Sequence, residues 1–335
     1  MKVLSLFDGM SCGQLALERA GIPVTKYYAS EVDKYAIKVT TANYPQTVHL
    51  GDCTSQGFTN WLNAVALQGK IDLLIGGSPC QGFSFAGGQL AFDDPRSKLF
   101  WRYVKVLHKL KPKYFLLENV KMKKEYLDII TDALGVEPVF INSSLVSAQN
   151  RQRYYWTNIP MDGLPDDKGI AMADILEEGW HSDRTKSYCL DASYFKGGGL
   201  SNLRTYFEKS RRQIVFSKDG LACVGEANLK GHGYNRRVYH PEGKAPSLCA
   251  ASGGNLEPKV YLEPDQWRKL TPLECERLQT VPDGYTDHVS NTQRYKMLGN
   301  GWTIDVIAHI MKGMNHEKHL QTNHGQHKEP SVQYT

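Results

Sequence analysis

A cysteine stands directly after an apolar run in the first third of the chain. Residues 71–78 read Ile-Asp-Leu-Leu-Ile-Gly-Gly-Ser, and Pro79, Cys80 and Gln81 follow them. An apolar run that breaks into glycines is typical of a buried strand in a parallel sheet, and such sheets place their sites at the carboxyl ends of strands. A thiol there is a candidate nucleophile; the alternative is a small buried cysteine in a turn.

A second apolar run, residues 114–117, ends in the carboxylate of Glu118. Because burying an unpaired carboxylate is costly, we expect Glu118 either to pair with a cation or to be held protonated for acid–base work. Further along, Gln149, Arg151 and Arg153 alternate as the chain enters another strand, so their side chains share one face. Guanidinium groups that point the same way as a carboxylate suit an electron-rich planar substrate.

Three further strand ends carry the residue types of a nucleoside site. Residues 7–13, Phe-Asp-Gly-Met-Ser-Cys-Gly, predict a tight turn before a helix, where glycines let a ligand approach the backbone. The second strand ends at Glu31, which is placed to accept hydrogen bonds from ribose hydroxyls, and the third ends at Asp52. Together they predict an adenosine-sized site, whereas a pyrophosphate is not expected without a Gly-x-Gly-x-x-Gly pattern.

These residues need a sheet to bring them together. Up to residue 158, short apolar runs alternate with helical patterns, which indicates a parallel α/β sheet. Strands are predicted at 3–7, 26–30, 47–50, 71–76, 113–118, 138–142 and 153–158. Helices are predicted at 13–20, 35–44, 59–67, 99–110, 125–134, 271–278 and 303–314.

The chain changes character between residues 160 and 265, where glycine, tyrosine and basic residues become frequent. From 180 to 262 there are 13 Lys and Arg against 7 Asp and Glu. Such a local excess favours a polyanionic partner, and the alternative is ordinary solvated surface. The polar tail from residue 315, which carries four of the eleven histidines, is predicted to be disordered.

The composition of the chain restricts which classes of protein it can belong to. The 335 residues are 41% hydrophobic and 22% charged, as in globular proteins. Seven cysteines form no Cys-x-x-Cys pair, so we expect neither a zinc site nor a disulfide framework. There is no apolar run of membrane-spanning length and no signal-peptide pattern, so we expect a cytoplasmic protein without a membrane partner or a metal.

Six motifs occur in a fixed order along the chain. They are Phe7-x-Gly9, Pro79-Cys80-Gln81, Glu118-Asn119-Val120, Gln149-x-Arg151-x-Arg153, the run Arg-x-Leu-Thr-Pro-x-Glu-x-x-Arg-Leu-Gln-x-x-Pro-Asp at 268–283, and Gly299-Asn300-Gly301. Together they resemble the cytosine-5 DNA methyltransferases of bacteria and phages, over nearly all of residues 1–314.

The resemblance implies a base-flipping methyl transfer from S-adenosylmethionine to carbon 5 of cytosine, with S-adenosylhomocysteine as product. Cys80 resembles the nucleophile that adds to carbon 6 of the extruded cytosine. Glu118 resembles the group that hydrogen-bonds or protonates the ring nitrogen and the exocyclic amine. Arg153 is similar to the arginine that contacts the base carbonyl and supports the Cys80 loop, and Arg151 and Gln149 look like its organising neighbours.

The same resemblance implies a cofactor site. Phe7 and Gly9 resemble the methionine-binding turn, Glu31 the ribose ligand and Asp52 the acceptor of the adenine amine, while Leu99 resembles a residue that packs near the adenine. Asn300 and Gly301 resemble the late segment that completes the pocket, and the resemblance implies that the helix at 303–314 packs beside the first helix. The predicted cofactor-binding residues are Phe7, Asp8, Gly9, Gly13, Glu31, Val32, Asp52, Cys53, Pro79, Leu99, Asn300 and Gly301.

Three positions depart from the bacterial pattern. The first motif resembles that of the animal de novo enzymes, and Val32 stands where many relatives have an aromatic residue that stacks on adenine. Gly301 and Trp302 replace the usual Ser-Val. These changes bear on contacts to the cofactor and leave the predicted reaction unchanged.

Residues 236–250 resemble the recurring start of the family's target-recognition domain. Candidate DNA-binding residues are Arg204, Arg211, Arg212, Arg236 and Arg237. Arginines of this kind hold phosphates or read guanine edges, and the alternative for each one is a solvated charge.

The resemblance implies an α/β fold: a Rossmann-like S-adenosylmethionine-dependent methyltransferase sheet with a smaller, irregular, β-rich target-recognition domain. The predicted divisions are a catalytic and cofactor-binding domain at 1–159, the target-recognition domain at 160–265, a return to the catalytic domain at 266–314 and a disordered tail at 315–335. The expected partner is double-stranded DNA, bound by a monomer that is associated with DNA in a bacterial cell or a phage-infected host.

Alternative functions remain within and outside this family. A transfer-RNA cytosine-5 methyltransferase shares the catalytic motifs, but the Cys-Phe-Thr signature expected in its recognition part is absent from this sequence. A catalytically inactive DNA-binding regulator is disfavoured because Cys80, Glu118, Arg151 and Arg153 are all present. A nicotinamide dehydrogenase lacks support without the pyrophosphate fingerprint. Within the favoured reading, a solitary enzyme and a member of a restriction-modification pair both remain open.

Overall fold

The computed structural model describes residues 1–68, 71–78, 97–196, 200–217, 223–226, 237–239, 259–260 and 267–324. The strands of the described residues are β1 (Lys2–Leu6), β2 (Lys26–Ser30), β3 (Val48–His49), β4 (Leu73–Gly76), β5 (Tyr114–Val120), β6 (Val139–Asn142), β7 (Gln152–Thr157), β8 (Trp180–His181), β9 (Ile214–Ser217), β10 (Cys223–Glu226), β11 (Arg237–Tyr239), β12 (Lys259–Val260) and β13 (Trp267–Lys269).

The helices alternate with strands in the first half of the chain and return near its end. They are α1 (Cys12–Arg19), α2 (Lys34–Asn43), α3 (Gln56–Gln68), α4 (Ser97–Leu110), α5 (Lys124–Leu134), α6 (Met172–Ile175), α7 (Leu200–Lys209), α8 (Pro272–Leu278), α9 (Asn291–Asn300) and α10 (Ile304–His324). Each of the seven strands and seven helices predicted from sequence has a counterpart among these elements.

Strands β1 to β7 form one sheet in the order β3-β2-β1-β4-β5-β7-β6. The pairs β2–β3, β1–β2, β1–β4 and β4–β5 are parallel. Strand β7 runs antiparallel to both β5 and β6, so the expectation of a parallel sheet is corrected at this edge. The crossing of β7 between β5 and β6 places the segment that carries Arg151 and Arg153 beside Glu118.

Both faces of the sheet are covered, which explains the continuous apolar runs of the central strands. Successive residues of a strand point to opposite faces. Val3 and Ile75 therefore belong to the core shared with α1 and α10, while Leu4 and Leu74 belong to the core shared with α3, α4 and α5. All four are fully buried.

Helix α10 packs against α1, as predicted, and it is longer than the sequence suggested. The Asn315 amide donates to the carbonyl of Ala20 at the end of α1, 3.1 Å away. Residues 315–324, predicted to begin a disordered tail, continue the helix to His324, so that part of the expectation is corrected. Residues 325–335 lie outside the described residues.

The described residues in the middle of the chain include short strands and two helices, α6 and α7, that the sequence did not predict. Strands β8, β9 and β13 form an antiparallel sheet, and β10, β11 and β12 form a second small sheet. The unpredicted helix α7 packs through Tyr206, which is 1% exposed, in a cluster with Ile214, Phe216 and Trp267. Strand β13 lies just beyond the predicted boundary at residue 265 yet pairs with β9.

Candidate active site

The ends of the first three strands meet at one edge of the sheet. The Asp8 amide donates to the Ser30 carbonyl over 3.2 Å, and the Leu50 amide donates to that of Ala29 over 2.8 Å. The Ser30 hydroxyl donates to the Gly51 carbonyl over 2.6 Å. The structure therefore brings together the three segments predicted to form an adenosine-sized site.

The turn after β1 has an unusual backbone. Phe7, Gly9 and Ser11 have φ of 59°, 59° and 61°, in the left-handed region that favours glycine. The Gly9 amide donates to a carboxylate oxygen of Glu31 over 2.7 Å. This contact fixes the turn against the end of β2 and orients its backbone at the candidate cofactor edge.

Glu31 is itself held by the backbone around it. Its other carboxylate oxygen accepts from the amides of Val32 and Asp33, at 2.7 and 2.8 Å. Because a carboxylate has about four lone-pair directions, capacity remains for a further donor such as a hydroxyl group. The apolar side chain of Val32, the next residue, is 70% exposed to solvent.

Asp8 faces inward. Its carboxylate accepts from the Tyr27 hydroxyl at 2.7 Å and from the Ser11 hydroxyl, and the residue is 8% exposed. Burial raises its pKa to about 6, although the hydrogen bonds from Ser11, Ser5 and Tyr27 oppose the shift. Its side chain therefore supports the turn from within the protein.

Three of the predicted cofactor residues differ in their surroundings. Asp52 is exposed, and its carboxylate accepts from the amide and hydroxyl of Thr54 at 2.7 and 2.8 Å. Cys53 is 3% exposed, and burial raises the pKa of its thiol to about 11. Leu99 is half-buried against the same core. Asp52 is thus the one of the three whose polar atoms reach solvent.

Gly13 serves packing. A Cβ at this position would lie 2.3 Å from Cδ1 of Ile75 and 2.7 Å from the Tyr27 hydroxyl. Its missing side chain lets α1 lie close against the sheet, as glycines do at helix–sheet contacts next to ligand-binding turns.

The loop after α9 completes the edge. A Cβ on Gly301 would lie 3.1 Å from Cε of Met10 and 3.4 Å from the Cys12 sulfur, so this loop approaches the first turn closely. Asn300 is exposed beside it. The two segments predicted to enclose the cofactor, about 290 residues apart in the chain, are therefore neighbours.

Glu118 and Arg153 form the charged centre of the second part of the site. The Arg153 Nε lies 2.9 Å from Oε1 of Glu118. The side chain of Glu118 is 11% exposed and that of Arg153 is 13% exposed. Of the two expectations for Glu118, the structure shows the paired one. A Cβ on Gly77 would lie 3.1 Å from Oε2 of Glu118 and 2.9 Å from the Trp302 indole nitrogen, so the pair borders the segment that leads to residue 79.

Asn119 anchors that segment. Its amide donates to the hydroxyl of Ser78 over 3.3 Å, and Ser78 is 4% exposed. Pro79 and Cys80, the predicted cofactor contact and nucleophile, lie outside the described residues. The last described residue before them is thus tied to the strand that carries Glu118.

Arg151 contacts backbone on two sides. Its guanidinium donates to the carbonyl of Leu190 at 3.0 Å, and to those of Gly299 and Gly301 at 3.3 and 2.8 Å. It also lies 3.4 Å from the sulfur of Cys189. Arg151 is 3% exposed, so it organises the loops around the site from within the protein.

Gln149 has a similar position. It is fully buried, its carbonyl accepts from the Leu190 amide at 2.8 Å, and its amide donates to the Leu278 carbonyl at 3.2 Å. The motif that reads Gln-x-Arg-x-Arg therefore divides in two: Arg153 reaches Glu118, while Gln149 and Arg151 fix neighbouring backbone.

The candidate DNA-binding arginines are less fully described. Arg211 pairs with Asp191 at 2.8 Å and its side chain is 52% exposed. Arg212 has a left-handed φ of 58°. Arg204 lies in α7 and Arg237 in β11, with side chains outside the described part of the structure, and Arg236 is wholly outside it.

Sequence reasoning missed two residues that hold the candidate cofactor edge. The Tyr285 hydroxyl donates to the Met10 carbonyl at 2.7 Å. The Gln279 amide donates to the carbonyls of Leu298 and Gly301, at 2.6 and 3.3 Å. Gln279 belongs to the motif at 268–283, and this was a signal that it matters. Tyr285 had no such signal, because a hydrogen bond to Met10, 275 residues away in the chain, leaves no pattern in the local sequence.

Within the described residues, no cluster of His, Cys, Asp or Glu is arranged to hold a metal ion. No helix of the same part of the chain is long and apolar enough to cross a membrane.

Comparisons with known proteins identify the family of the chain. A profile of the C-5 cytosine-specific DNA methylases matches residues 1–316. The chain belongs to this family. Its relatives include the orphan methyltransferase M.SPRI of Bacillus phage SPR, 25% identical over 94% of this chain and 98% of that protein. The type II methyltransferase M.HhaI of Haemophilus parahaemolyticus is 28% identical over 92% of this chain and 93% of its own.

Solved structures show the same fold. The Entamoeba histolytica methyltransferase EhMeth aligns with a TM-score of 0.64 at 18% identity, covering 95% of this chain and 98% of that one. The seven-stranded sheet with its antiparallel β7 is therefore the methyltransferase sheet that the motifs predicted.

Proposed function

We propose that this protein transfers a methyl group from S-adenosylmethionine to carbon 5 of a cytosine in double-stranded DNA. The observation that carries the proposal is the Glu118–Arg153 pair, 2.9 Å apart with a buried carboxylate, beside the glycine that leads to Cys80. A carboxyl group and a guanidinium that converge there match the recognition of a cytosine edge. The phage and bacterial methyltransferases related to the chain support the same reaction.

The candidate cofactor edge fits an adenosyl group. The Phe7–Ser11 turn, the Glu31 carboxylate, the exposed Val32 and the Gly301 loop are neighbours, and together they offer backbone, an acceptor for hydroxyls and an apolar surface. When bound, S-adenosylmethionine supplies an electrophilic methyl group. Glu31 holds the ribose hydroxyls, Asp52 accepts from the adenine amine, and Val32 packs on the base.

The roles of the catalytic residues follow from their chemistry. The thiolate of Cys80 adds to carbon 6 of the flipped cytosine, which makes carbon 5 nucleophilic. Once carbon 5 carries the methyl group, it loses its proton to solvent and the bond from carbon 6 to Cys80 breaks, which frees the thiolate and restores the ring. Glu118 hydrogen-bonds the ring nitrogen and amine, so that charge is stabilised as it develops during attack. Arg153 orients Glu118 and contacts the base carbonyl. Gln149 and Arg151 keep the surrounding loops in place.

The remaining assignments complete the proposal. Residues 1–159 and 266–314 form the catalytic and cofactor-binding part, and residues 160–265 recognise the target sequence with Arg204, Arg211, Arg212, Arg236 and Arg237. The protein acts as a monomer on DNA, in the cytoplasm of a bacterial cell or a phage-infected host. It works alone or beside a restriction enzyme; one of the two relatives named above is called an orphan methyltransferase and the other a type II methyltransferase.

The decisive experiment incubates the purified protein with S-adenosylmethionine and unmethylated genomic DNA, and then maps methylated cytosines by bisulfite sequencing. We expect methylation at one short sequence motif. A Cys80→Ser variant should lose methyl transfer while it keeps its affinity for S-adenosylhomocysteine, because serine is a far weaker nucleophile of nearly the same size.

The alternatives give different results in the same assay. Transfer to transfer RNA and not to DNA would replace the proposal with an RNA methyltransferase. DNA binding without transfer to either substrate would indicate an inactive regulator. Retained turnover in Cys80→Ser would reject the covalent mechanism.

A further inference from the structure

The turn after β1 is held at successive polar atoms by side chains from separate elements. The Gly9 amide donates to Glu31 at 2.7 Å, and the Gly9 carbonyl accepts from the hydroxyl of Thr40 in α2 at 3.3 Å. The next carbonyl, that of Met10, accepts from the Tyr285 hydroxyl at 2.7 Å. The backbone of the turn is thus fixed by the residue after β2, by α2 and by the segment after α8.

This turn needs such support. Phe7 and Ser11 have side chains but adopt left-handed φ, a conformation that persists only where surrounding contacts specify it. Ser11 precedes α1 without capping it through its side chain; its hydroxyl donates to Asp8 and accepts from the side-chain amide of Gln14 at 3.2 Å. Because these two residues are strained, each further hydrogen bond to the turn helps to keep its backbone in the conformation that faces a ligand.

Tyr285 is well placed to provide one of these contacts. It is 7% exposed, and burial raises the pKa of its phenol well above the ordinary value, so the hydroxyl stays a donor. Its own carbonyl accepts from the side-chain amide of Asn43 in α2 at 3.1 Å. The backbone of Tyr285 is therefore fixed to α2, and its hydroxyl is fixed to the turn after β1.

We propose that Tyr285 is a positioning residue for the cofactor: its hydroxyl holds the Met10 carbonyl and keeps the strained turn in the shape that receives S-adenosylmethionine. The proposal rests on the function given above, since it takes this turn as the cofactor site. It assigns Tyr285 no contact with the cofactor or the cytosine and no part in the methyl transfer itself.

The test is the variant Tyr285→Phe, which removes one hydroxyl and keeps the ring. The Met10 carbonyl is then without its donor, and the turn relaxes towards conformations that bind the cofactor less well. We expect the Kd for S-adenosylhomocysteine, measured by titration calorimetry, to rise roughly three- to tenfold, the range that follows from removing a single hydrogen bond. The KM for S-adenosylmethionine should rise equally, with kcat nearly unchanged.

Tyr295→Phe is the matched control. Tyr295 is 5% exposed, and its hydroxyl also donates to a backbone carbonyl, that of Leu270, at 2.8 Å. The control removes the same type of bond in the same type of environment, but at a place that does not touch the turn. Both variants should show a similar fall in Tm, whereas only Tyr285→Phe should weaken cofactor binding.

The outcomes separate the two proposals. If wild-type protein binds S-adenosylhomocysteine and both variants bind it with wild-type affinity, or weaken it equally, the role of Tyr285 is rejected while the proposed function stands. If wild-type protein binds no S-adenosyl compound, the cofactor site is rejected and the role of Tyr285 with it. A rise in Kd confined to Tyr285→Phe supports both.

Discussion

Two arginines that stand two residues apart have different surroundings and, we infer, different tasks. Arg153 lies beside the carboxylate of Glu118 at 2.9 Å, at the border of the segment that leads to Cys80. Arg151 donates to carbonyls on both sides of the site and is 3% exposed. Arginine suits both tasks, because its planar group has five donors in a fixed arrangement.

Glu118→Gln tests the role assigned to the carboxyl group. Glutamine keeps the size of the side chain and an oxygen for Arg153, but it has neither the charge nor the proton that the carboxyl group can give. We expect kcat to fall more than about tenfold, which corresponds to at least roughly 1.4 kcal/mol in the barrier. Single-turnover methylation of a DNA duplex measures it.

Glu125→Gln is the control for that experiment, since Glu125 lies in the first turn of α5 with its side chain 59% exposed. It should methylate at the wild-type rate. A Glu118→Gln rate within about tenfold of wild type would argue against an acid role and leave Glu118 with the orientation of Arg153 only.

Asp8 predicts a particular pH dependence of stability. Its pKa is about 6 in the folded protein, raised chiefly by burial above the ordinary value of 3.8. Well below pH 4 the group is protonated in both states and does not affect the free energy of unfolding. As the pH rises from about 4 to 6, the unfolded chain ionises first, so this group lowers the free energy of unfolding by about 3 kcal/mol, and the loss stays constant above pH 6.

Asp8→Asn removes this titration. Relative to wild type, the variant should gain about 3 kcal/mol in free energy of unfolding between pH 4 and pH 7, as measured by urea denaturation at several pH values. The exposed pair of Asp128 with Lys124 supplies a control: Asp128→Asn should follow the wild-type curve closely. A constant difference between Asp8→Asn and wild type across this range would contradict the prediction.

At the scale of elements, the sequence predicted best where one pattern dominates. The buried strands and the helix that begins with Thr271 and Pro272 carry strong local signals, and there the structure agrees: the Thr271 hydroxyl accepts from the Glu274 amide at 3.2 Å, and the Glu274 carboxylate accepts from the Thr271 amide at 2.8 Å. Local capping of this kind needs no knowledge of the rest of the fold.

Long-range features were not predictable in the same way. The direction of β7 depends on how the chain returns after β6, and helix α7 is stabilised by the burial of Tyr206 against β9 and β13. In the site, the strand ends with Glu31 and Asp52 could be read from residues, but the hydrogen bond of Tyr285 to Met10 could not. Tertiary packing decides such features, and local propensity does not.

Gly313 shows how closely two elements meet. A Cβ there would lie 1.7 Å from the carbonyl oxygen of Pro160, so α10 cannot keep its position against residues 159–160 with a larger residue. We expect Gly313→Ala to lower the free energy of unfolding by about 1–3 kcal/mol or more, in spite of the better helix propensity of alanine. Thermal and urea unfolding both measure this.

Gly57→Ala provides the comparison within another helix. Its Cβ would meet only the Ser55 hydroxyl oxygen, at 3.9 Å, so alanine should be neutral or stabilise α3 by up to about 1 kcal/mol. Equal effects of the two substitutions would mean that the packing of α10 against Pro160 is not tight in solution.

The whole molecule distributes its charge unevenly. The net charge is +5, and the 13 Lys and Arg against 7 Asp and Glu between residues 180 and 262 leave an excess of six in that segment alone. Some of it is neutralised within the described structure, since Arg211 pairs with Asp191 and Arg184 with Asp183. The electrostatic attraction of this segment for a DNA phosphate therefore depends mainly on its other lysines and arginines, which belong to the proposed recognition domain.

This distribution predicts a steep dependence of DNA binding on salt, because each bound phosphate releases counterions. For about six phosphates bound, the affinity for a short duplex should fall roughly a thousandfold between 50 and 200 mM salt. A combined Arg236→Ala and Arg237→Ala variant should flatten the slope of log K against log salt by about one unit for each phosphate that is no longer bound.

The control variant is Lys124→Ala on α5, whose lysine is 83% exposed and pairs with Asp128; it should leave the slope unchanged. The affinity for S-adenosylhomocysteine should vary little over the same range, and an equally steep fall there would mean that salt acts on the fold and not on a DNA surface.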